Sequence, residues 1–240
     1  MTLRSEISTP AGKRQYVRRL FTTIADRYDF ITRFLSYGQD RRWKRQLLAL
    51  AQLERTDRLL DLACGTGDIV FDASPRIARA VGLDVTLRML QLARQRSVTG
   101  CCELVQADML ALPFGSAQFD VVTTGYGLRN VPDLHRAIFE IARVLAPGGR
   151  LLSLDFDRPA NALIRSAYLA YLTIVGSLLG LALHGNADTY RYIPESIRQY
   201  PGARGVARLL EQHGFTRVRV IPVLGGLMAI HVAHKERPSA

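Results

Sequence analysis

Lysine is nearly missing from this chain: only Lys13, Lys44 and Lys235 are Lys among its 32 basic residues, and the rest are Arg. Against 21 Asp and Glu the formal charge is +11, which invites an acidic partner: nucleic acid, an anionic membrane face or an anionic ligand. Part of the excess fits an Arg-rich genomic composition, so charge alone does not choose among them. Cysteine is scarce too. Cys64, Cys101 and Cys102 form neither a CxxC pair nor a disulfide framework, and no His, Cys or Asp cluster has metal-ligand spacing, so a reducing compartment and no metal are expected. Single-residue repeats are absent and Gly (19) and Pro (10) are ordinary in number, which excludes disordered and fibrous classes. The opening MTLRSEISTPAGKRQYVRRL lacks an apolar core of signal-peptide length, so export is not expected. Long hydrophobic runs are missing with one exception: residues 166–183, SAYLAYLTIVGSLLGLAL, carry no charge and sit at the lower length limit for a membrane span.

What is present suffices for one core: 240 residues, 48% of them hydrophobic. Residues 1 to about 58 read as helical and basic, with thirteen Arg and Lys against six Asp and Glu and with Leu20, Phe21 and Ile24 at helical spacing. From Arg58 short apolar runs alternate with helical segments: RLLDLA, a helix near 68–79, AVGLDV, a helix near 86–96, CELVQAD, FDVVTTGY, a helix near 133–145, and RLLSLDF. Such alternation predicts a parallel, doubly wound α/β sheet. After the uncharged stretch and a polar segment, a helix at 203–213 precedes TRVRVIPV and LMAIHVAHK, an antiparallel hairpin around Gly225-Gly226. The expected organisation is a single domain with a seven-stranded, mostly parallel sheet: a helical cap at 1–57, a core at 58–156, a lid at 157–202 and the final helix and hairpin at 203–240.

The first strand runs into Asp61-Leu62-Ala63-Cys64-Gly65-Thr66-Gly67-Asp68, a glycine turn that lets backbone approach a ligand at a helix N-terminus. No Gly-Lys-Ser/Thr follows, and Val70 stands where GxGxxG has its third glycine, so the turn alone fits a tight structural bend equally well. Asp84 closes the second strand, where a carboxylate accepts from both ribose hydroxyls of a nucleoside. Asp108 closes the third, where it accepts from an adenine amino group while Met109 packs on the ring. Each acid alone fits a solvated strand end; three successive strands ending in acids point to an adenosine cleft. Asp68 would repel a pyrophosphate, which argues against NAD.

The order DLACGTGD, GLDV, QADMLALPF, QFDVV and VLAPGGRLL resembles the class I S-adenosylmethionine-dependent methyltransferases over about residues 58–155. A wider likeness covers nearly the whole chain. Tyr28-Asp29 through Ser36-Tyr37-Gly38 to Arg41-Arg42-Trp43-Lys44, then Gly125-Tyr126-Gly127-Leu128-Arg129-Asn130-Val131, Tyr190-Arg191-Tyr192-Ile193-Pro194-Glu195-Ser196-Ile197, and Gly225-Gly226-Leu227-Met228-Ala229-Ile230-His231 resemble the UbiE/MenG-type C-methyltransferases of ubiquinone and menaquinone biosynthesis. That family often has Asn at the place of Thr32 and His at the place of Asp40. The resemblance implies S-adenosylmethionine as methyl donor, held by Asp61, Ala63, Gly65, Thr66, Gly67, Asp84, Val85, Asp108, Met109 and Gly125. It implies a prenylated quinol as substrate, demethylmenaquinol first and the benzoquinol of the ubiquinone route next, and puts Arg129, Asn130 and Tyr28 at the quinol.

Methylating a ring carbon requires electron density there, most simply by removing the proton of a neighbouring hydroxyl. Arg129 and Asn130 follow the fourth strand at the ligand-binding edge, where Arg129 can stabilise a phenolate and Asn130 can fix the ring. A permanently protonated guanidinium is a poor base, so stabilisation is the expected role; an ion pair capping the next helix is the plain alternative. Tyr126, Tyr190, Tyr192 and Ser196 are candidates for the ring pocket, or for a packed lid without substrate contact. His231 reads as a structural histidine. Residues 166–183 read as a buried core helix or as a lid that shields a prenyl tail and touches the bilayer; spanning would separate the last two strands from their sheet. The expected partners are the quinol and, peripherally, the inner face of an anionic membrane from a cytoplasmic location, with a homodimer or quinone-biosynthesis complex open and no nucleic acid. A secondary-metabolite phenol methyltransferase, a basic nucleic-acid-associated protein and a silent scaffold are the alternatives.

Overall fold

The computed structural model describes residues 3–97 and 100–237, so residues 1–2 of the cap and 238–240 of the last segment lie outside the described residues. Seven strands form one sheet: β1 (Arg58–Leu62), β2 (Arg79–Asp84), β3 (Glu103–Gln106), β4 (Phe119–Gly125), β5 (Leu145–Phe156), β6 (Phe215–Val223) and β7 (Met228–Lys235), in the order β3-β2-β1-β4-β5-β7-β6. The first five pair in parallel; β7 is antiparallel to β5 and to β6. The helices are α1 (Leu3–Glu6), α2 (Pro10–Ile24), α3 (Tyr28–Leu35), α4 (Asp40–Ala51), α5 (Asp68–Ala73), α6 (Leu87–Arg96), α7 (Leu134–Val144), α8 (Ala162–His184), α9 (Tyr192–Gln199) and α10 (Gly202–Gln212).

Strand side chains alternate between faces, and both faces here are covered. Leu60, Val122 and Leu151 pack with Ile138 and Ile141 of α7 and Val206 of α10. Their neighbours Leu59, Val121 and Leu152 pack on the other face with Trp43 and Leu47 of α4 and Ile69 of α5. This is why the strands read as continuous apolar runs. The C-terminal hairpin turns through Gly225 and Gly226 at φ 62° and 86°, a region open to glycine at little cost.

Two expectations are corrected. The helix near 68–79 stops at Ala73, a short 3₁₀ turn follows at Ser74–Arg76, and β2 has begun by Arg79. Pro75 is the cause: it has no N–H to give the Phe71 carbonyl, which accepts from Ser74 Oγ at 3.1 Å instead. The uncharged stretch is not a buried core helix. It lies within α8, whose most apolar 18-residue window is only 22% buried, with Leu163, Ile174, Leu178 and Leu181 each more than half exposed. Its buried face is a stripe of Leu169, Leu172, Gly176 and Gly180, where Gly176 lets Tyr190 pack and Gly180 lets Asn186 and Ala187 approach.

Candidate functional site

The chain passes from β1 to β2 and β3 on one side, then returns to place β4 and β5 on the other. Between β1 and β4 the loops diverge and leave a crevice at the carboxyl ends of the strands. A small cavity of about 90 Å³ lies there, lined by Ala63, Gly65, Asp84, Val85, Asp108, Met109 and Gly125 of the expected cofactor set. Asp84 accepts the main-chain N–H of Gly65 at 2.9 Å and of Thr86 at 2.7 Å, which aims the carboxylate and leaves lone pairs for further donors. Burial raises its pKa, and those two N–H groups work the other way. Asp108 lies two residues beyond β3; its Oδ1 accepts from Leu110 N at 2.9 Å and its Oδ2 lies 3.4 Å from Arg14 Nε. Arg14, Val17, Arg18 and Phe21 of α2 roof this cleft, holding it below the roughly 300 Å³ at which ligand pockets begin.

Three expected cofactor residues do not line the cavity. Asp61 is fully buried beneath it: Thr123 Oγ1 donates to its Oδ1 at 2.8 Å, its Oδ2 has no partner among the described residues, and burial pushes its carboxyl up to about 7. Thr66 Oγ1 turns instead to Asp29 Oδ1 at 2.7 Å, tying the turn to α3. Gly67, at φ 91°, precedes α5, and a Cβ there would crowd Phe71. Next to it Asp68 pairs with Lys44 at 2.9 Å and Arg96 at 2.6 Å; these cations hold its carboxyl low although burial works against them.

Beyond a shared wall lies a second, larger cavity of about 450 Å³. Phe21, Tyr28, Tyr126 and Asn130 line both. Its other walls are largely apolar, among them Ile31, Leu35, Trp43, Phe156, Tyr168 and Met228 from α3, α4, β5, α8 and β7. Arg129 supplies the positive charge. It is buried, its Nε and main-chain N–H reach the Asp155 carboxylate at 3.3 and 3.0 Å, its Nη1 donates to Ser196 Oγ, and its guanidinium lies 4.8 Å from the Phe156 ring centroid. The ion pair is thus with the end of β5; the helix after β4 is capped by Asp133, which accepts from Arg136 N at 2.9 Å.

Tyr126 Oη donates to Asp40 Oδ1 at 2.6 Å, and Lys44 bridges Asp40 and Asp68 at 2.7 and 2.9 Å. Burial disfavours the Lys44 charge, yet Asp40 and Asp68 outweigh it and keep the ammonium above its ordinary range. Burial pushes the Tyr28 hydroxyl up to about 12, against the pull of Lys44, so it stays protonated. Two buried atoms of lining residues lack partners among the described residues: Asn130 Oδ1 and Tyr192 Oη. Tyr190 also lines the cavity and bonds to His184 Nε2 at 2.8 Å, whereas Ser196 does not line it and serves by accepting from Arg129. His231 is structural, with Ser153 Oγ at 3.2 Å and the Ala203 carbonyl at 2.9 Å.

Sequence reasoning gave no role to Asp155, Lys13 or Gly127, and marked Asp40 only as a departure from the family's usual His. A signal existed for Asp155, a fourth strand-end acid in series with Asp84 and Asp108, and for Asp40 and Lys44, an i,i+4 pair opening a helix. Gly127 lines the smaller cavity, where a Cβ would fall on Thr124 Oγ1. Lys13 Nζ donates to the Arg129 carbonyl at 3.0 Å, a contact across 116 residues that no local pattern announces.

The model of the ubiE/COQ5 methyltransferase family matches residues 10–235. A demethylmenaquinone methyltransferase of Thermus thermophilus is 40% identical over 90% of this chain and all of its own length. A ubiquinone/menaquinone biosynthesis C-methyltransferase of Azotobacter vinelandii is 38% identical over 91% of this chain and 89% of its own. Among solved structures, an S-adenosylmethionine-dependent methyltransferase of Thermotoga maritima, a possible histamine N-methyltransferase, superposes with a TM-score of 0.67 at 17% identity, covering 92% of this chain and all of that one.

Proposed function

The chain belongs to the ubiE/COQ5 methyltransferase family, enzymes that methylate a quinone-ring carbon with S-adenosylmethionine, and we propose that it acts on a reduced, prenylated 1,4-quinol, demethylmenaquinol before its benzoquinol counterpart. The observation that carries this reading is the shared wall: Tyr28, Tyr126 and Asn130 border both the acid-lined cleft and the apolar cavity, so a donor and an aromatic acceptor meet across them.

The residues present fit the methyl donor. Asp84 has acceptor capacity for ribose hydroxyls, Asp108 for an adenine amino group, and Met109 an apolar surface for the base. The donor, when bound, supplies an electrophilic sulfonium methyl. In the larger cavity the Arg129 guanidinium stabilises negative charge on a ring oxygen, which raises electron density on the adjacent carbon. Asp155 and Ser196 hold that guanidinium in place. Asn130 Oδ1, buried and without a partner among the described residues, accepts from a ring hydroxyl, and Tyr28, protonated at neutral pH, orients the ring. The apolar walls exclude water, so Arg129 acts in a low-dielectric setting where its charge counts for more. In this reading α2 roofs the donor cleft, and the ring is enclosed between α3 and α4 of residues 1–57 and the segment 157–202.

A prenyl tail must leave this cavity, and the surroundings of its mouth suit one. Tyr37 and Tyr171 line the cavity and bond through their hydroxyls; around them α3 exposes Phe30 and Phe34, and α8 exposes Leu163, Ile164, Ile174, Leu178 and Leu181. This apolar face on a protein of charge +11 supports peripheral contact with an anionic bilayer, the tail passing into lipid. The function is tested by transfer of labelled methyl to short-chain demethylmenaquinol and to a demethylated benzoquinol, both kept reduced. Label on a ring carbon of either supports the reading, and label on neither overturns it.

A further inference from the structure

Two side chains of the shared wall, Tyr126 and Asn130, have a fixed hydrogen-bond polarity, whereas Tyr28 beside them keeps a hydroxyl proton. Tyr126 carries one hydroxyl proton, and Asp40 Oδ1 takes it at 2.6 Å. Asp40 lines neither cavity; it lies behind Tyr126, and Lys44 holds its other oxygen at 2.7 Å. Burial and the Asp40 charge keep the Tyr126 hydroxyl well above its ordinary pKa, so its proton stays in that bond. Asn130 is oriented in the same sense. Its Nδ2 donates to the Tyr126 carbonyl at 2.7 Å, which leaves Oδ1 buried without a partner among the described residues. Neither side-chain oxygen therefore has a proton to give, and each keeps lone pairs to accept with.

The two redox forms of a 1,4-quinone ring differ in this property. A quinol hydroxyl donates, whereas a quinone carbonyl only accepts. We propose that Asp40, acting through Tyr126, is a positioning residue that makes the Tyr126–Asn130 pair of acceptors favour the reduced ring over the oxidised one. The inference rests on the reading that a quinol occupies the larger cavity. A ring with one ionised oxygen toward Arg129 and one hydroxyl toward Tyr126 and Asn130 brings a proton that the two acceptors share in a three-centre bond; a quinone brings none and sets a second acceptor against both, and unpaired buried polar groups are what give such sites their discrimination. Lys44 keeps Asp68 as a partner when Asp40 is removed, so the variant does not strand a lone ammonium.

The test uses Trp43, the one tryptophan of the chain, which lines the cavity and reports binding through its fluorescence. A short-prenyl 1,4-naphthoquinol under reductant and the same compound oxidised are titrated separately into the protein saturated with S-adenosylhomocysteine. Wild type binds the quinol tighter by about tenfold or more, the worth of one buried hydrogen bond gained against one repelled. In Asp40→Leu the Tyr126 proton is free to turn to the cavity: quinol affinity falls, quinone affinity holds or rises, and KM for the quinol rises more than kcat falls. Tyr126→Phe lowers quinol affinity and leaves quinone affinity in place, with a urea-unfolding midpoint close to wild type as the measure of an intact fold. Loss of both affinities by one factor in Asp40→Leu, or equal binding of both forms by wild type, overturns the proposal. Absence of quinol methylation by wild type overturns instead the reading on which it rests.

Discussion

Asp155 at the end of β5 grips Arg129 twice, through the main-chain N–H at 3.0 Å and the Nε at 3.3 Å, with both side chains at most 5% exposed. One contact fixes the backbone of the turn after β4 and the other fixes the guanidinium, so the loop and its charge are positioned together. Burial raises the Asp155 pKa and Arg129 opposes the rise, as in a pair that is stable only when both members are present. Replacing one partner strands the other. Asp155→Ala is expected to destabilise by about 3–5 kcal/mol in urea unfolding. Arg129→Gln, which keeps a donor but no charge, is expected to lose about 10²–10³-fold in kcat if the guanidinium stabilises ring charge, with cofactor affinity little changed.

Asp84→Asn removes the charge from the acceptor at the end of β2. Hydrogen bonds to charged groups are worth about 1.5–3 kcal/mol, so the Kd for S-adenosylmethionine should rise at least tenfold by calorimetry. The Gly65 and Thr86 N–H groups lose part of their partner as well, so a modest loss of stability accompanies it.

Arg14 on α2 reaches over the cleft to Asp108, and both are partly exposed, so the pair adds little to stability. Its removal acts on access. Arg14→Ala is expected to speed cofactor exchange in stopped-flow measurements while unfolding shifts by less than about 1 kcal/mol. An unchanged exchange rate would mean that α2 is not the gate.

Lys13, half-buried against the turn, has its pKa lowered to about 8 by burial and by the Arg129 charge. The unfolded chain holds this proton up to its ordinary 10.5, so between the two values the unfolded state binds more protons and stability rises with pH. Urea midpoints measured from pH 7.5 to 10 should show that upward slope in wild type and lose it in Lys13→Met.

Leu178 and Leu181 stand on the exposed face of α8. Changing both to Asp is expected to abolish co-sedimentation with anionic vesicles and to raise KM for a long-chain quinol, while turnover of a short-chain quinol stays within a few-fold.

Much of this architecture was legible because parallel strands buried on both faces write themselves as near-continuous apolar runs: Leu59, Leu60 and Leu62 around Asp61, and Val121-Val122 before two threonines, could be read directly. The acids closing β2 and near the end of β3 could be placed too, since strand ends lie at the ligand edge of such sheets. Pro75 was the local signal overlooked, and it shortened a helix. Other features are not written locally at all. Whether α8 is buried depends on what covers it, and a stretch apolar on all sides gives no periodicity to say. The partners of Arg129 lie 26 and 67 residues away at Asp155 and Ser196, and Thr66 leaves the cofactor turn for Asp29 because α3 happens to pass there.

The most direct test of the account is a crystal structure with S-adenosylhomocysteine and a short-prenyl naphthoquinol bound together. The account predicts the adenosine against Asp84 and Met109, the ring beside Arg129 and Asn130, and the unsubstituted ring carbon facing the sulfur across Tyr28, Tyr126 and Asn130, at a separation that leaves the transferred methyl within about 3–3.5 Å of the carbon. A ring bound outside the larger cavity, or one turning a hydroxyl rather than that carbon toward the sulfur, would contradict it.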